Sequence, residues 1–349
     1  MLYKIMDPND KFNLIIDGLE EVIGEQELIN IIQERNLRLY WGTAPTGKPH
    51  IGYLKPLFKI CQFLKAECEV TILFADLHAY LDAMKSDWDQ LGYRTKYYQE
   101  IITETLKALG APINNLKFVK GTDYQLSPEY TLNVYNLMSK MSLHDAMKSG
   151  AEVVKQSKDP KMSSLLYPGL QALDEQFLDV DAQFGGLDQR KIFMCADKYL
   201  PKLGYKKRIH LMNPMIPSFN SGDPNEKMSS SDENSKIDLL DTPKVIKKKI
   251  GKAFCEEGNI ECGLLKFVNH IIMPIEQFNS NKFKINRKEE FGGDCEYSTF
   301  EDLCNDFKDK KLHPVDLKCG ISDWLIKLLE PVRNYFDNDD RLNNIKFSY

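Results

Sequence analysis

The chain has 349 residues, of which 42% are hydrophobic and 28% charged, and its net charge is −5. This composition excludes disordered and fibrous classes and provides for two domains of roughly 100–200 residues each. The acidic balance excludes a protein that coats nucleic acid through a broad positive field, but leaves room for a local patch such as Lys244 to Lys252, with five lysines in nine residues.

The apolar runs, such as Val70 to Ala75, are far shorter than the roughly 18 residues of a membrane span, so no membrane association is expected. Acidic residues at 7, 10, 17, 20 and 21 do not suit a secretory or mitochondrial leader, which points to a cytoplasmic chain. Eight cysteines at 61, 68, 195, 255, 262, 295, 304 and 319 form no C-x-x-C pair, so neither a bound metal nor dithiol chemistry is expected.

In chain order, Asp10 to Glu21 and Glu25 to Arg35 have helical spacing around Gly24 and form an N-terminal pair over residues 1–36. From Arg38 the pattern alternates. Leu39–Ala44 and Glu69–Asp76 read as strands, and Ile51–Lys65 and Asp87–Leu109 read as helices; Leu116–Gly121 and Ile209–Met215 add further strands. Strands separated by helices of this length require a parallel sheet, because a tight turn cannot join a parallel pair. The expected fold is therefore α/β, a Rossmann-type doubly wound parallel sheet over residues 37–232. A mostly helical stretch from Ser127 to Tyr199 reads as an insertion between the halves of the sheet, over about 122–185. The turn formers Ser218 to Asn225 precede a boundary near 232, and residues 233–349 read as an all-α second domain.

Chemistry concentrates after the first strand. Gly42-Thr-Ala-Pro-Thr-Gly-Lys48-Pro49 nearly spells a P-loop, but Pro49 has no hydroxyl for Mg²⁺ and no N–H, which disfavours that reading. Pro49-His50-Ile51-Gly52 instead opens the following helix, where free N–H groups favour an anion and a glycine permits close approach. This segment resembles the HIGH signature of class I aminoacyl-tRNA synthetases, with Tyr53 in place of the last His. Farther on, Glu226-Lys227-Met228-Ser229-Ser230-Ser231 resembles their KMSKS signature, with Ser230 in place of the second lysine. The resemblance implies ATP as substrate, with Mg²⁺, bound by Gly42, His50, Gly52, Lys227, Met228 and Ser229; His50, Gly52 and Lys227 would be the catalytic group. In such a reaction a carboxylate attacks the α-phosphate, so the enzyme acts by positioning the reactants and neutralising charge.

Tyr167, Gln171 and Asp174 share one helical face beside an apolar stripe of Leu166, Leu170, Leu173 and Phe177, as in a pocket wall. The runs Leu39–Ala44, Ala75–Tyr80, Tyr167–Asp174 and Asp181–Arg190 closely resemble tyrosyl-tRNA synthetases of the eukaryotic and archaeal type, over nearly the whole chain. That resemblance implies that Tyr40 and Asp174 hold the phenolic OH of tyrosine, and that Tyr167, Gln171 and Gln189 surround its ammonium and carboxylate. Asp76 and His78 are further candidates. The tryptophan enzyme shares the fold, but an indole N–H only donates, whereas a phenol donates and accepts. A synthetase-like RNA-binding protein without activity is a second alternative, against which His50, Gly52 and Lys227 speak.

Phe291-Gly-Gly-Asp294 and His313 to Lys318 resemble the anticodon-binding region, which makes Phe291 a stacking residue and Asp316 a base-edge acceptor. The resemblance also implies tRNA(Tyr) as partner and a homodimer joined through Ser127 to about Lys158. No DNA partner and no organic cofactor are expected.

Overall fold

The computed structural model describes residues 6–82, 88–153, 160–215 and 236–338. A six-stranded sheet contains β1 (Glu21–Ile23), β2 (Arg38–Thr43), β3 (Glu69–Phe74), β4 (Leu116–Lys120), β5 (Ala182–Gly186) and β6 (Ile209–Asn213), in the order β1-β6-β5-β2-β3-β4. All neighbours are parallel except the β1–β6 pair. From β2 the chain passes through helix Leu54–Lys65 to β3 and through helix Trp88–Ala108 to β4, then returns to place β5 and β6 on the other side of β2. The strand order therefore reverses between β2 and β5. In open α/β sheets such a reversal leaves a crevice at the carboxyl ends of the strands.

Two strands lie where the sequence reading placed none. The first helix is Pro8–Ile16, capped by the Asp7 side chain on Asn9 N, and it ends before Gly18, whose φ of 65° breaks the spiral. Glu21–Ile23 then pairs antiparallel with His210 to Met212, so the N-terminal segment contributes an edge strand as well as two helices. Ala182–Gly186 is a central, buried strand within the stretch read as mostly helical. Its five residues include a Gln and two glycines, so its burial comes from its neighbours and not from an apolar pattern of its own.

Helices Pro128–Met138, Leu143–Ser149 and Met162–Phe177 form the insertion, the first capped by Ser127 Oγ on Tyr130 N. Beyond residue 241 the chain is mainly helical, with one addition, the antiparallel hairpin β7 (Phe283–Ile285) and β8 (Cys295–Tyr297). These helices share a core with the sheet: Phe58 meets Phe278 edge to face, and Tyr97 on Trp88–Ala108 meets Phe336 on Pro314–Asp337. Tyr335 OH donates to Glu100 across the same contact at 2.9 Å. Among the described residues no helix is long and apolar enough to cross a membrane. The boundary expected near 232 falls within 216–235, outside the described residues.

Candidate active site

A cavity of about 430 Å³ opens at the reversal point between β2 and β5. Its walls come from Tyr40 to Ala44 at the end of β2, Gln183 to Gly186 on β5, Asn213 to Met215 at the end of β6, and the helix start at His50, Gly52 and Tyr53. Helix Met162–Phe177 closes one end with Tyr167, Gln171 and Asp174, the face predicted from their spacing. Gln189 and His78 line the same space, so nine expected residues, Tyr40, Gly42, His50, Gly52, His78, Tyr167, Gln171, Asp174 and Gln189, converge.

Asp174 is 1% exposed. Its Oδ1 accepts three hydrogen bonds, from Tyr124 OH at 2.7 Å, Gln125 Nε2 at 2.8 Å and Tyr130 OH at 3.0 Å, whereas Oδ2 has no partner among the described residues. One oxygen is anchored and the other is available. Burial raises the carboxyl to about 7, and the three donors only partly offset that desolvation. Tyr40, fully buried, donates a long 3.3 Å hydrogen bond to the Gln171 carbonyl oxygen. Burial, with Asp174 nearby, pushes its phenol well above the usual range, so its hydroxyl keeps its proton. Gln171 Nε2 donates to Gln189 Oε1 at 3.1 Å, which joins two of the expected residues. His78 packs edge-on against Tyr167 at 4.6 Å, and burial lowers it to about 4, so it is neutral at physiological pH.

At the other end His50 caps the turn Ile51–Tyr53: its Nδ1 accepts from Gly52 N at 3.2 Å. Burial, reinforced by the charge of Lys236, lowers it to about 4. A neutral ring that accepts at Nδ1 carries its proton on Nε2, which makes that nitrogen a donor. Tyr53, which stands where the signature's last His would be, ties Thr43 Oγ1 at 3.1 Å and Tyr98 OH at 3.4 Å, and Tyr98 OH in turn donates to the Gly47 carbonyl. It braces the loop instead of presenting a second imidazole. The main chain of this motif is also paired with a remote segment: Ile51 N donates to Ile237 O at 2.9 Å and Leu239 N to Pro49 O at 3.3 Å. The chain just after residue 235 is thereby held against the His50 turn. Lys227, Met228 and Ser229 lie outside the described residues.

One expectation fails and several residues were missed. Asp76 does not line the cavity; its carboxylate accepts from Thr122 N at 2.9 Å and Thr122 Oγ1 at 2.5 Å, binding β4's exit to β3's. Missed were Tyr124, Gln125 and Tyr130, which hold Asp174, and Gln183 and Asn213, buried cavity residues whose amides include atoms without partners among the described residues. Asn213, a polar residue within the run Ile209–Met215 already read as a strand, is a signal that could have been found. The contacts to Asp174 cross 44 to 50 residues of chain and left none. Among the described residues no group of three or more His, Cys, Asp or Glu is arranged to hold a metal.

In the C-terminal part Phe291 is 62% exposed in the hairpin loop, and Asp316 lies in the first turn of helix Pro314–Asp337. Arg287 joins the two elements: it donates to Gly293 O and Lys311 O and lies 3.9 Å from Asp316. In the lysine-rich helix Pro243–Lys252, Lys247 pairs with Asp323 at 3.0 Å and Lys249 with Asp241 at 2.7 Å, which leaves Lys244, Lys248 and Lys252 exposed at i, i+4 and i+8.

Residues 33–330 match the model of the tRNA synthetases class I (W and Y). The chain is 56% identical to a cytoplasmic tyrosine–tRNA ligase of Danio rerio over 336 residues, 96% of this chain and 62% of that protein. It is 53% identical to that of Saccharomyces cerevisiae, covering 86% of that relative. The chain thus spans about three fifths of the length of the vertebrate relatives it matches. Among solved structures, the tyrosyl-tRNA synthetase of Archaeoglobus fulgidus complexed with L-tyrosine superposes with a TM-score of 0.84 at 37% identity, over 94% of this chain and 99% of that one. That of Pyrococcus horikoshii gives 0.91 at 26% identity, over 99% and 100%. With a cavity at the strand reversal, a neutral histidine donor at its helix start and a half-anchored carboxylate at its far end, the chain belongs to the class I tRNA synthetases of the W and Y group, on the tyrosyl-tRNA synthetase side.

Proposed function

We propose that the chain activates L-tyrosine with ATP to tyrosyl-adenylate and transfers the tyrosyl group to tRNA(Tyr), releasing pyrophosphate and AMP. The observation that carries this reading is the Oδ2 of Asp174, without a partner among the described residues, at the buried end of a cavity that Tyr40 also lines, with Asp174 near enough for its charge to raise the Tyr40 phenol. A phenol donates to that oxygen and accepts from Tyr40 once Tyr40 releases the Gln171 carbonyl; phenylalanine leaves both groups unpaired. Tyr167, Gln171 and Gln189 surround the amino-acid head, which brings its carboxylate toward the α-phosphate.

ATP lies along Gly42, Gly52 and His50, with Mg²⁺ arriving on its phosphates as part of the substrate. His50 Nε2–H donates to phosphate oxygens as their charge rises, and Lys227, Met228 and Ser229 complete the phosphate end. Domain roles follow: residues 37–232 catalyse, with 1–36 packed against them, and 233–349 meet the anticodon through Phe291 and Asp316. A homodimer forms through the insertion, where Leu126, Leu132, Tyr135, Leu143 and Met162 are all more than half exposed. The chain works in the cytoplasm, as the names of its relatives say of them.

ATP–pyrophosphate exchange with each of the twenty amino acids tests the reading, because it reports activation without tRNA. Exchange with tyrosine alone is expected. Exchange with tryptophan alone, or with none, overturns it.

A further inference from the structure

Two cysteines far from the cavity meet in the C-terminal part. Cys255 and Cys262 bound a surface turn between helices Pro243–Lys252 and Gly263–Phe267, and their sulfurs lie 3.8 Å apart. The turn is held from within: Asn259 N donates to Glu256 O at 3.2 Å, Glu261 N to Asn259 Oδ1 at 3.0 Å, and Gly258 takes a φ of 77° that a glycine allows. It is held from outside by Lys310 on Glu257 at 3.4 Å, and the end of the helix that leads into it by Lys318, which donates to Gly251 O at 3.1 Å. The two thiols are therefore presented to each other by ordered backbone.

Cys255 is half-buried and reachable from solvent, whereas Cys262 is 4% exposed. The two sulfurs share one hydrogen bond in which either can donate, and the one left accepting gives up its proton more readily than an isolated thiol. Cys61 and Cys68 contrast with them, since burial pushes these up to about 11 and about 12 and leaves them inert thiols. Closing 3.8 Å to a disulfide requires an approach of about 1.8 Å, within the reach of side-chain rotation in a surface turn.

We propose that Cys255 and Cys262 are a reversible oxidation site, converted by peroxides to an intramolecular disulfide and restored by small thiols. The pair's thiolate attacks a peroxide oxygen, the O–O bond breaks, and a sulfenic acid and a hydroxide result. The second thiol then attacks the sulfenic sulfur, the S–S bond forms, the S–O bond breaks, and the remaining protons leave with the oxygens as water. Two thiols lose two electrons in all, and one hydrogen peroxide becomes two waters. The site is independent of the proposed activity, because neither cysteine lines the cavity.

The test uses the full chain, treated with hydrogen peroxide, blocked with N-ethylmaleimide and mapped by peptide mass spectrometry. A Cys255–Cys262 linked peptide two hydrogens lighter than its parts, lost after dithiothreitol and absent in Cys262→Ser, is expected. A competitor is Cys304, which lies within electrostatic range of Cys262, so Cys304→Ser should keep the link. A dominant link through Cys304, or sulfinic acid at Cys255 with no link, overturns the proposal. If Cys262→Ser does not fold, mapping of the parent chain decides alone.

Discussion

Asp174 illustrates how a single residue's surroundings set its chemistry. The folded protein holds its proton up to about pH 7, while an unfolded chain releases it near 3.8. Between those values the folded state binds the extra proton, so this group's contribution falls as pH rises from about 4 to about 7, by roughly 4 kcal/mol at most. Asp174→Asn removes that dependence: denaturant unfolding should show the variant gaining on the parent across this window. The same variant offers the phenol only a neutral amide oxygen in place of a charged acceptor, which at about 1.5–3 kcal/mol predicts a loss of about 10–100-fold in kcat/KM for tyrosine and much less for phenylalanine. Equal losses for both amino acids would count against a phenol-reading role. At His50 the expectation is different, since its ring is neutral well below physiological pH. His50→Ala should lower the exchange kcat by about 10²–10³ with little change in the tyrosine KM, as for removal of one donor to developing charge. No ionisation of His50 should appear in the parent's profile between about pH 6 and 8.

Elements act here through junctions. Gly121, where β4 ends, packs so closely that a Cβ would collide with Gln125 Oε1 and lie 2.9 Å from Asp76 Oδ1. Gln125 is also the donor to Asp174, so Gly121→Ala should both lower the melting temperature by several degrees, the effect of about 1–3 kcal/mol of overpacking, and raise the tyrosine KM. A variant that melts lower with an unchanged tyrosine KM would show that Gln125 relaxes without moving Asp174. The pairing of residues 49–51 with 237–239 is a second junction, binding the helix start at His50 to the segment that returns after residue 235.

For the whole molecule, the shared core of sheet and C-terminal helices makes the two parts one packing unit. The proposed homodimer would form on the apolar face of the insertion, where Leu132 and Tyr135 are 68% and 67% exposed on helix Pro128–Met138. Light scattering should give twice the 40.3 kDa of one chain, and Leu132→Glu with Tyr135→Glu should give one. A parent that runs as a monomer would remove the interface from this face.

The sequence by itself determined the α/β alternation, the helix start at His50, and the face of Tyr167, Gln171 and Asp174, because each depends on local spacing, capping or periodicity. It also carried the family resemblance. Tertiary structure alone decided that Glu21–Ile23 and Ala182–Gly186 are strands, since segments of three and five residues carry too little pattern and are defined by the partners they pair with. It alone placed Tyr124, Gln125 and Tyr130 around one oxygen of Asp174 and left the other free. It turned Asp76 away to Thr122 and brought Cys255 to Cys262 across a turn. Those outcomes are set by distances between residues remote along the chain, and the hydrogen bonds that satisfy buried groups leave no period in the sequence.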